Sequence, residues 1–457
     1  MTLPGLPTGG TDPCVHCGFC LPTCASYLVL GTEMDSPRGR IHALKAINAG
    51  EQELDATTAS HFDSCLGCFA CVTACPSGVR YDQLLEATRP KLNAPELREP
   101  GQTAFRRLLF ALLPYPQRLR AVLTPLRAYA GGKLQRIARR SGLLRMLGPQ
   151  LQALEALLPP LTPASFEERW PVVVPAQGER RARVGLVLGC VQRVFDPAVN
   201  AAAVQVLSAN GVEVVIPPAQ GCCGAVTHHQ GELEHTQRLA QGLIASFEAV
   251  VGPGKAAGSD PLDAVLVAAA GCGHTLKQYG QILETTTGDA PAAGFAAPVR
   301  DVQEFLGELG LGDAFSAGLQ PLRHPDGTMA TADRPLPVAY HDACHALHGQ
   351  GIGAQPRALL RQIPHLVIRE ASEAGVCCGS AGIYNLVQPQ EADALGELKA
   401  NDLAHTGAAV VASANIGCSL QIRKHLQRSG HPQTVAHPLQ LLARSAGLTA
   451  GPSDEPG

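Results

Sequence analysis

The chain has 457 residues, 45% of them hydrophobic, which is enough for two or three domains with filled cores. Its net charge of -3 gives no electrostatic case for nucleic acid, and no basic-aromatic stacking pattern is present. No apolar run approaches the length of about 18 residues needed for a spanning helix. The opening MTLPGLPTGG has neither a basic start nor an apolar stretch, so no secretory signal is read, and the sixteen cysteines fall into ordered clusters. They read as reduced ligands in a cytosolic setting.

Two copies of one motif come first: Cys14-x2-Cys17-x2-Cys20-x3-Cys24 and Cys65-x2-Cys68-x2-Cys71-x3-Cys75-Pro76. This spacing lets one reentrant loop aim three thiolates at an iron-sulfur cube, while the fourth cysteine reaches the other cube. Cys14, Cys17, Cys20 and Cys75 are therefore assigned to one [4Fe-4S] cluster, and Cys65, Cys68, Cys71 and Cys24 to a second. Zinc prefers separated ligand pairs and has little use for a four-thiolate run occurring twice. Forty residues separate the motifs, with Ser36-Pro37 as a helix start, Ile41, Leu44 and Ile47 as its apolar stripe and Gly50 as its end. With this helix, residues 1–97 resemble an α-helical two-cluster ferredoxin. Arg38 and Arg40 stand in the first helical turn, the wrong end for cations. They either offset the negative charge of a cluster or form a solvated pair.

Residues 98–180 read as a basic helical linker. From Arg98 to Arg145 eleven Lys or Arg residues face one acid, Glu99. Leu119, Val122, Leu123 and Leu126, then Leu134, Ile137, Leu143, Leu144 and Leu147, recur among them at helical spacing. Pro114, Pro116, Pro125 and Gly131-Gly132 divide the stretch into short helices. Such helices lie on anionic membranes or acidic partners, or pack as a linker with a solvated basic face. A Pro-rich junction follows at Leu158–Pro163 and Trp170-Pro171.

The remainder is a duplication over 181–320 and 335–448. Strand-like Val184–Leu188 leads to Cys190, Val212–Ile216 to Cys222-Cys223-Gly224, and Ala264–Ala268 to Cys272. In the second copy Val338–Asp342 leads to Cys344, Leu366–Ile368 to Cys377-Cys378-Gly379, and Ala409–Ala412 to Cys418. The first two cysteine positions are separated by 31 residues in one copy and 32 in the other, and Val299–Leu306 parallels Val435–Leu442. Helical stretches at Glu232–Val250 and Gln390–Leu403 alternate with the strands, so each copy reads as an α/β unit with a mainly parallel sheet. The cysteines fall at strand C-terminal ends, where open α/β sheets form crevices. Metal ligation, redox-active disulfides and core packing stay open for them. His341, Asp342, His345, His348, His228 and His229 could couple protonation to electron transfer to a quinone, but helix capping or backbone hydrogen bonding near the cysteines is the preferred reading, and no catalytic residue is assigned.

The chain resembles the iron-sulfur subunit of bacterial glycolate oxidase. The resemblance rests on the paired motifs, the Asp35-Ser36-Pro37-Arg38-Gly39-Arg40-Ile41 segment and the two Cys-Cys-Gly (CCG) domains. Those domains also resemble the catalytic subunit of heterodisulfide reductase, whose repeats end in CxxC and can hold noncubane clusters. Here the ends are Cys272-Gly-His-Thr275 and Cys418-Ser-Leu-Gln421, so the last cysteine is missing twice. One further cluster per set remains chemically open, on Cys190, Cys222, Cys223 and Cys272 or, preferentially, on Cys344, Cys377, Cys378 and Cys418. No Rossmann, Walker or flavin fingerprint is present. The resemblance implies glycolate going to glyoxylate on FAD-binding partner subunits. Electrons then leave toward a quinone or other membrane acceptor, with the complex peripheral on the cytoplasmic face of the inner membrane. The corresponding subunit of anaerobic glycerol-3-phosphate or lactate dehydrogenase is the near alternative; a heterodisulfide-reductase-like thiol enzyme is the distant one.

Overall fold

The computed structural model describes residues 9–142, 144, 146, 148–287 and 294–448. Leu143, Arg145 and Leu147 of the linker stretch lie outside the described residues. In the N-terminal unit the expected helix is Pro37–Ala49, where Ser36 Oγ accepts the Gly39 amide at 3.0 Å and Gly50 closes the helix in the left-handed region. Its Ile41 and Leu44 pack on Phe62, Tyr81, Leu84 and Leu85, so one small core holds both motif loops in place. A second helix between the motifs, Ala56–Asp63, is capped by Asp55, whose carboxylate accepts from the Thr58 amide at 2.7 Å.

The basic stretch forms helices Pro100–Leu112, Pro116–Leu123, Lys133–Ser141 and Pro149–Ala156, three of which start on proline. Part of the stretch packs on the neighbouring domains, as the linker reading expects. Leu109, Phe110 and Ala153 pack against Ile383 and Leu386, and Leu119 and Leu123 against Val194. Leu134 and Ile137 instead stay 64% and 62% exposed, beside exposed Lys133, Arg136 and Arg140. Arg98, Arg120 and Arg139 pair with Asp63, Glu168 and Glu155, and Arg106 is buried, so these four cations are already engaged by the fold, Arg139 at its surface.

The duplicated region forms two sheets. The first contains β1 (Val173–Val174), β2 (Ala182–Val187), β3 (Val212–Val215), β4 (Ala264–Val267) and β5 (Val299–Asp301), in the order β1-β3-β2-β4-β5. The second contains β6 (Leu336–His341), β7 (Leu366–Arg369), β8 (Val410–Ser413) and β9 (Thr434–Ala436), in the order β7-β6-β8-β9. All pairings are parallel except β1 with β3, so β3-β2-β4-β5 repeats as β7-β6-β8-β9. Val184, Leu186 and Leu188 share one core with Val338, Tyr340 and Ala412. The alternate residues Val187, Val265 and Val267, and Ala339 and Val411, face separate outer cores, as the two-residue period of a strand requires. The sheets thus stand back to back.

Candidate iron-sulfur sites

None of the sixteen cysteines is paired in a disulfide. The two N-terminal loops fold alike: His16 and Gly67 occupy equivalent positions at φ 54° and 59°, and Gly18 and Phe69 at 87° and 63°. Left-handed backbone twice per loop curls each Cys-x2-Cys-x2-Cys run around a cavity. One cavity is lined by Cys14, Cys17, Cys20 and Cys75, and a second by Cys24, Cys65, Cys68 and Cys71, with Cys71 also reaching the first. Backbone amides serve the sulfurs, with Gly67 N–H donating to Cys65 and Val79 N–H to Cys75, each at 3.4 Å. Burial, and then the neighbouring Cys344 sulfur, push the Cys68 thiol up, and burial does the same to Cys71. A bound cation offsets that penalty on a thiolate, so thiol donors, amide support and curled loops fit an iron-sulfur group.

The two arginines divide. Arg38 stays near the surface, pairing with Glu33 and donating to His16 O at 3.1 Å. Arg40 is buried: its guanidinium donates to Ser26 Oγ at 3.1 Å and to His61 O at 2.6 Å, and lies 3.6 Å from Asp35. Ser26 Oγ is in turn 3.3 Å from the Cys24 sulfur. Burial opposes the Arg40 charge, but Cys65, Cys24 and Asp35 outweigh it and hold the group charged. A solvated pair is therefore excluded for Arg40.

In each CCG copy three neighbouring strands deliver the cysteines to one sheet edge. Cys222 donates to Cys190 at 3.2 Å, and the Cys223 sulfur lies beside those of Cys222 and Cys272. Those contacts hold Cys223 below the usual thiol range; Cys222 is pushed up by Cys190 and Cys272 by Cys223. In the second copy Cys344 lies beside Cys377, and Cys378 beside Cys418. Gly379 sits at φ 86° and a Cβ there would come within 2.7 Å of Ala392 O, so the turn after the paired cysteines needs glycine.

His341, Cys378 and Cys418 place one ligand atom each within 4.8 Å of one another, all buried. Both ring nitrogens of His341 lack a hydrogen-bond partner, and burial, then Lys399, pushes its imidazole down to about 3. The copies differ here. Val187 ends the β2–β4 pairing where His341 ends β6–β8, and Val187 packs on Cys190, Cys222 and Cys223. Lys399 stands twenty residues after Gly379, where the first copy has Ile244 after Gly224. The structure corrects the reading of His341 as a cap or backbone partner, because neither nitrogen reaches a polar neighbour. The signal is present in the repeat, as a His opposite a Val. His348 behaves as expected, meeting Gly375 O at 3.0 Å as well as Thr73 Oγ1, whereas Asp342 pairs with the Arg357 side chain at 2.7 Å and His228 lies 3.6 Å from the Glu86 carboxylate instead of capping a helix.

The N-terminal unit docks with its second loop against the second CCG set. Leu66 and Cys68 share one cluster with Cys344 and Cys377. Phe69 stacks on His345 at 5.3 Å and 8°, and His345 touches His274 at 4.9 Å. His345 also meets Gly67 O at 2.9 Å.

Residues 10–79 match the 4Fe-4S dicluster domain family, and residues 184–277 and 338–423 the cysteine-rich CCG domain. Residues 101–158 match the linker region of the glycolate oxidase iron-sulfur subunit. The chain is 34% identical to the probable glycolate oxidase iron-sulfur subunit of Bacillus subtilis (strain 168), across 95% of this chain and 94% of that one. The chain belongs to the glycolate oxidase iron-sulfur subunit family. The Escherichia coli (strain K12) glycolate oxidase iron-sulfur subunit is 30% identical over 94% of this chain and 93% of its own length. A fumarate reductase (CoM/CoB) subunit of Methanothermobacter marburgensis is 30% identical over 54% of this chain and 43% of its own. The family places these cysteines in an iron-sulfur protein of an oxidoreductase complex.

Proposed function

We propose that this glycolate oxidase iron-sulfur subunit carries electrons from FAD-binding partner subunits, which oxidise glycolate to glyoxylate, toward a membrane quinone. The observation that carries this reading is a row of three cysteine sites. The first two cavities share Cys71, and the second adjoins Cys344 and Cys377 of the CCG region. Cys14, Cys17, Cys20 and Cys75 would hold one [4Fe-4S] group and Cys24, Cys65, Cys68 and Cys71 another. Such groups supply one-electron steps, so a two-electron oxidation of a hydroxy acid calls for a flavin elsewhere in the complex. Exposed Val15 and Phe19 flank exposed Cys17 and offer a flavin subunit an apolar contact beside the first cavity.

A third iron-sulfur group belongs on the second CCG set, with His341 as an added ligand to Cys344, Cys377, Cys378 and Cys418. The buried Lys399 amino group offsets the thiolate charge there; the first set, with Val187 and Ile244 in the corresponding places, stays metal-free. Among the described residues no helix is long and apolar enough to cross a membrane. The exposed faces bearing Leu134, Ile137, Lys133, Arg136 and Arg140 support peripheral attachment to anionic lipid on the cytoplasmic side. Purification of the native complex tests the reading. FAD-binding subunits should co-purify, and glycolate-dependent dye reduction should require them; dye reduction by this chain alone would defeat it.

A further inference from the structure

A cavity of about 490 Å³ opens between the linker helices Pro100–Leu112 and Pro149–Ala156 and the N-terminal unit, and Cys65 forms part of its wall. We infer that this cavity is the quinone-binding site of the subunit, with the quinone ring seated beside Cys65 and its hydrocarbon tail leaving past Leu108 and Leu151. The inference rests on the acceptor reading proposed above and gives it a location.

Three features define the ligand. The size falls within the range of about 300–1,000 Å³ usual for small-molecule sites. The walls carry Phe62, Phe105, Leu92, Leu154 and Val387, which suit a flat apolar ring. The rim residues Leu108 and Leu151 are each 52% exposed, an arrangement that costs free energy in water and suits a tail passing into lipid.

The polar groups point the same way. Arg98 and Arg106 both line the cavity and are buried, and the Nε–H of each has no hydrogen-bond partner. Arg89 lines the cavity as well, so its wall carries three guanidinium groups against one acid, Asp63. Asp63 already neutralises Arg98 through hydrogen bonds of 2.6 and 2.8 Å, and Arg106 is tied to Gln230. Arg89 and Arg106 form no ion pair among the described residues, so the wall is cationic, and it suits a ligand whose carbonyl oxygens accept hydrogen bonds and gain negative charge on reduction. A quinone, with two carbonyl oxygens on an apolar ring, has that chemistry. Its reduction to quinol takes two electrons and two protons; the electrons are those removed from the hydroxy acid, and water at the open mouth supplies the protons.

The test uses the intact complex and an azido-naphthoquinone photolabel. Label is expected on peptides from Pro100–Leu112 and Pro149–Ala156, displaced by an excess of unlabelled naphthoquinone. Leu154→Trp, which fills the cavity, and Arg106→Met should each lower labelling at least tenfold. The ratio of naphthoquinone to ferricyanide reduction with glycolate should fall by the same factor. Displaceable label elsewhere, with the ratio unchanged in both variants, overturns the cavity assignment and leaves the acceptor reading standing. Ferricyanide reduction without any naphthoquinone reduction by the wild-type complex overturns the acceptor reading and this site with it.

Discussion

Replacing Arg40 by Met should lower the reduction potential of one cluster selectively. The Arg40 side chain is 1% exposed, and hydrogen bonds of 3.1 and 3.3 Å through Ser26 Oγ link it to the Cys24 sulfur. Those lengths put the cation within about 6 Å of the sulfur, where Coulomb's law at an effective dielectric of about 20 gives about 3 kcal/mol. For one electron that corresponds to roughly 100 mV, and the sign is set by the reduced cluster carrying the extra negative charge. The variant also loses the bond to His61 O, and breaking a buried charged network costs about 3–5 kcal/mol of stability. Asp35 keeps His61 and Ser64 as partners at 3.0 Å each, which limits the damage. The assay is an EPR-monitored reductive titration of the intact complex at matched iron content, with Arg40→Lys as the charge-conserving control. The Cys24/Cys65/Cys68/Cys71 cluster should shift down by roughly 100 mV in the Met variant and far less in the Lys variant. Full iron content with both midpoints unchanged would refute the electrostatic role.

The other perturbations address ligation and attachment. Cys24→Ser should disturb the EPR signal of the cluster held mainly by Cys65, Cys68 and Cys71 and leave the one on Cys14, Cys17 and Cys20; the reverse pattern would overturn the exchange of fourth ligands. Anaerobically purified protein should contain iron beyond two cubanes. Cys378→Ser should remove that excess, and His341→Gln should abolish histidine-nitrogen hyperfine coupling; iron accounted for by the first eight cysteines alone would empty the CCG site. Replacing exposed Arg107, Arg118, Arg136 and Arg140 with Gln should weaken binding to anionic vesicles by about 1 kcal/mol per charge, and binding indifferent to salt or to these changes would favour a purely packed linker.

Local signals carried much of the architecture. The helix Pro37–Ala49 was readable because its cap, first proline, stripe and closing glycine are contiguous. The parallel sheets were readable because the chain repeats itself, with Val184–Leu188 against Val338–Asp342 setting the register. The division of the first eight cysteines followed from loop spacing, and the cavity linings bring those same groups together. Strand β1 was not foreseen, since its two residues are too short to show a period and form only by pairing with β3. Neither was the commitment of Arg120 and Arg139, whose partners Glu168 and Glu155 lie beyond the basic stretch. The docking of Cys68 on Cys344 and Cys377 joins residues nearly three hundred positions apart, and the cavity beside Cys65 draws on similarly distant segments. No sequence periodicity encodes contacts of that kind.

The most direct measurement of the central claim is freeze-quench EPR after glycolate is mixed with this chain, with and without its partner subunits. With the FAD-binding subunits present, the signals assigned to the Cys14 and Cys65 sets should be reduced within a turnover; with the chain alone they should stay oxidised. Reduction by glycolate in the isolated chain, or no reduction in the complete complex, would contradict the assignment of this subunit as the carrier of electrons from a partner's flavin.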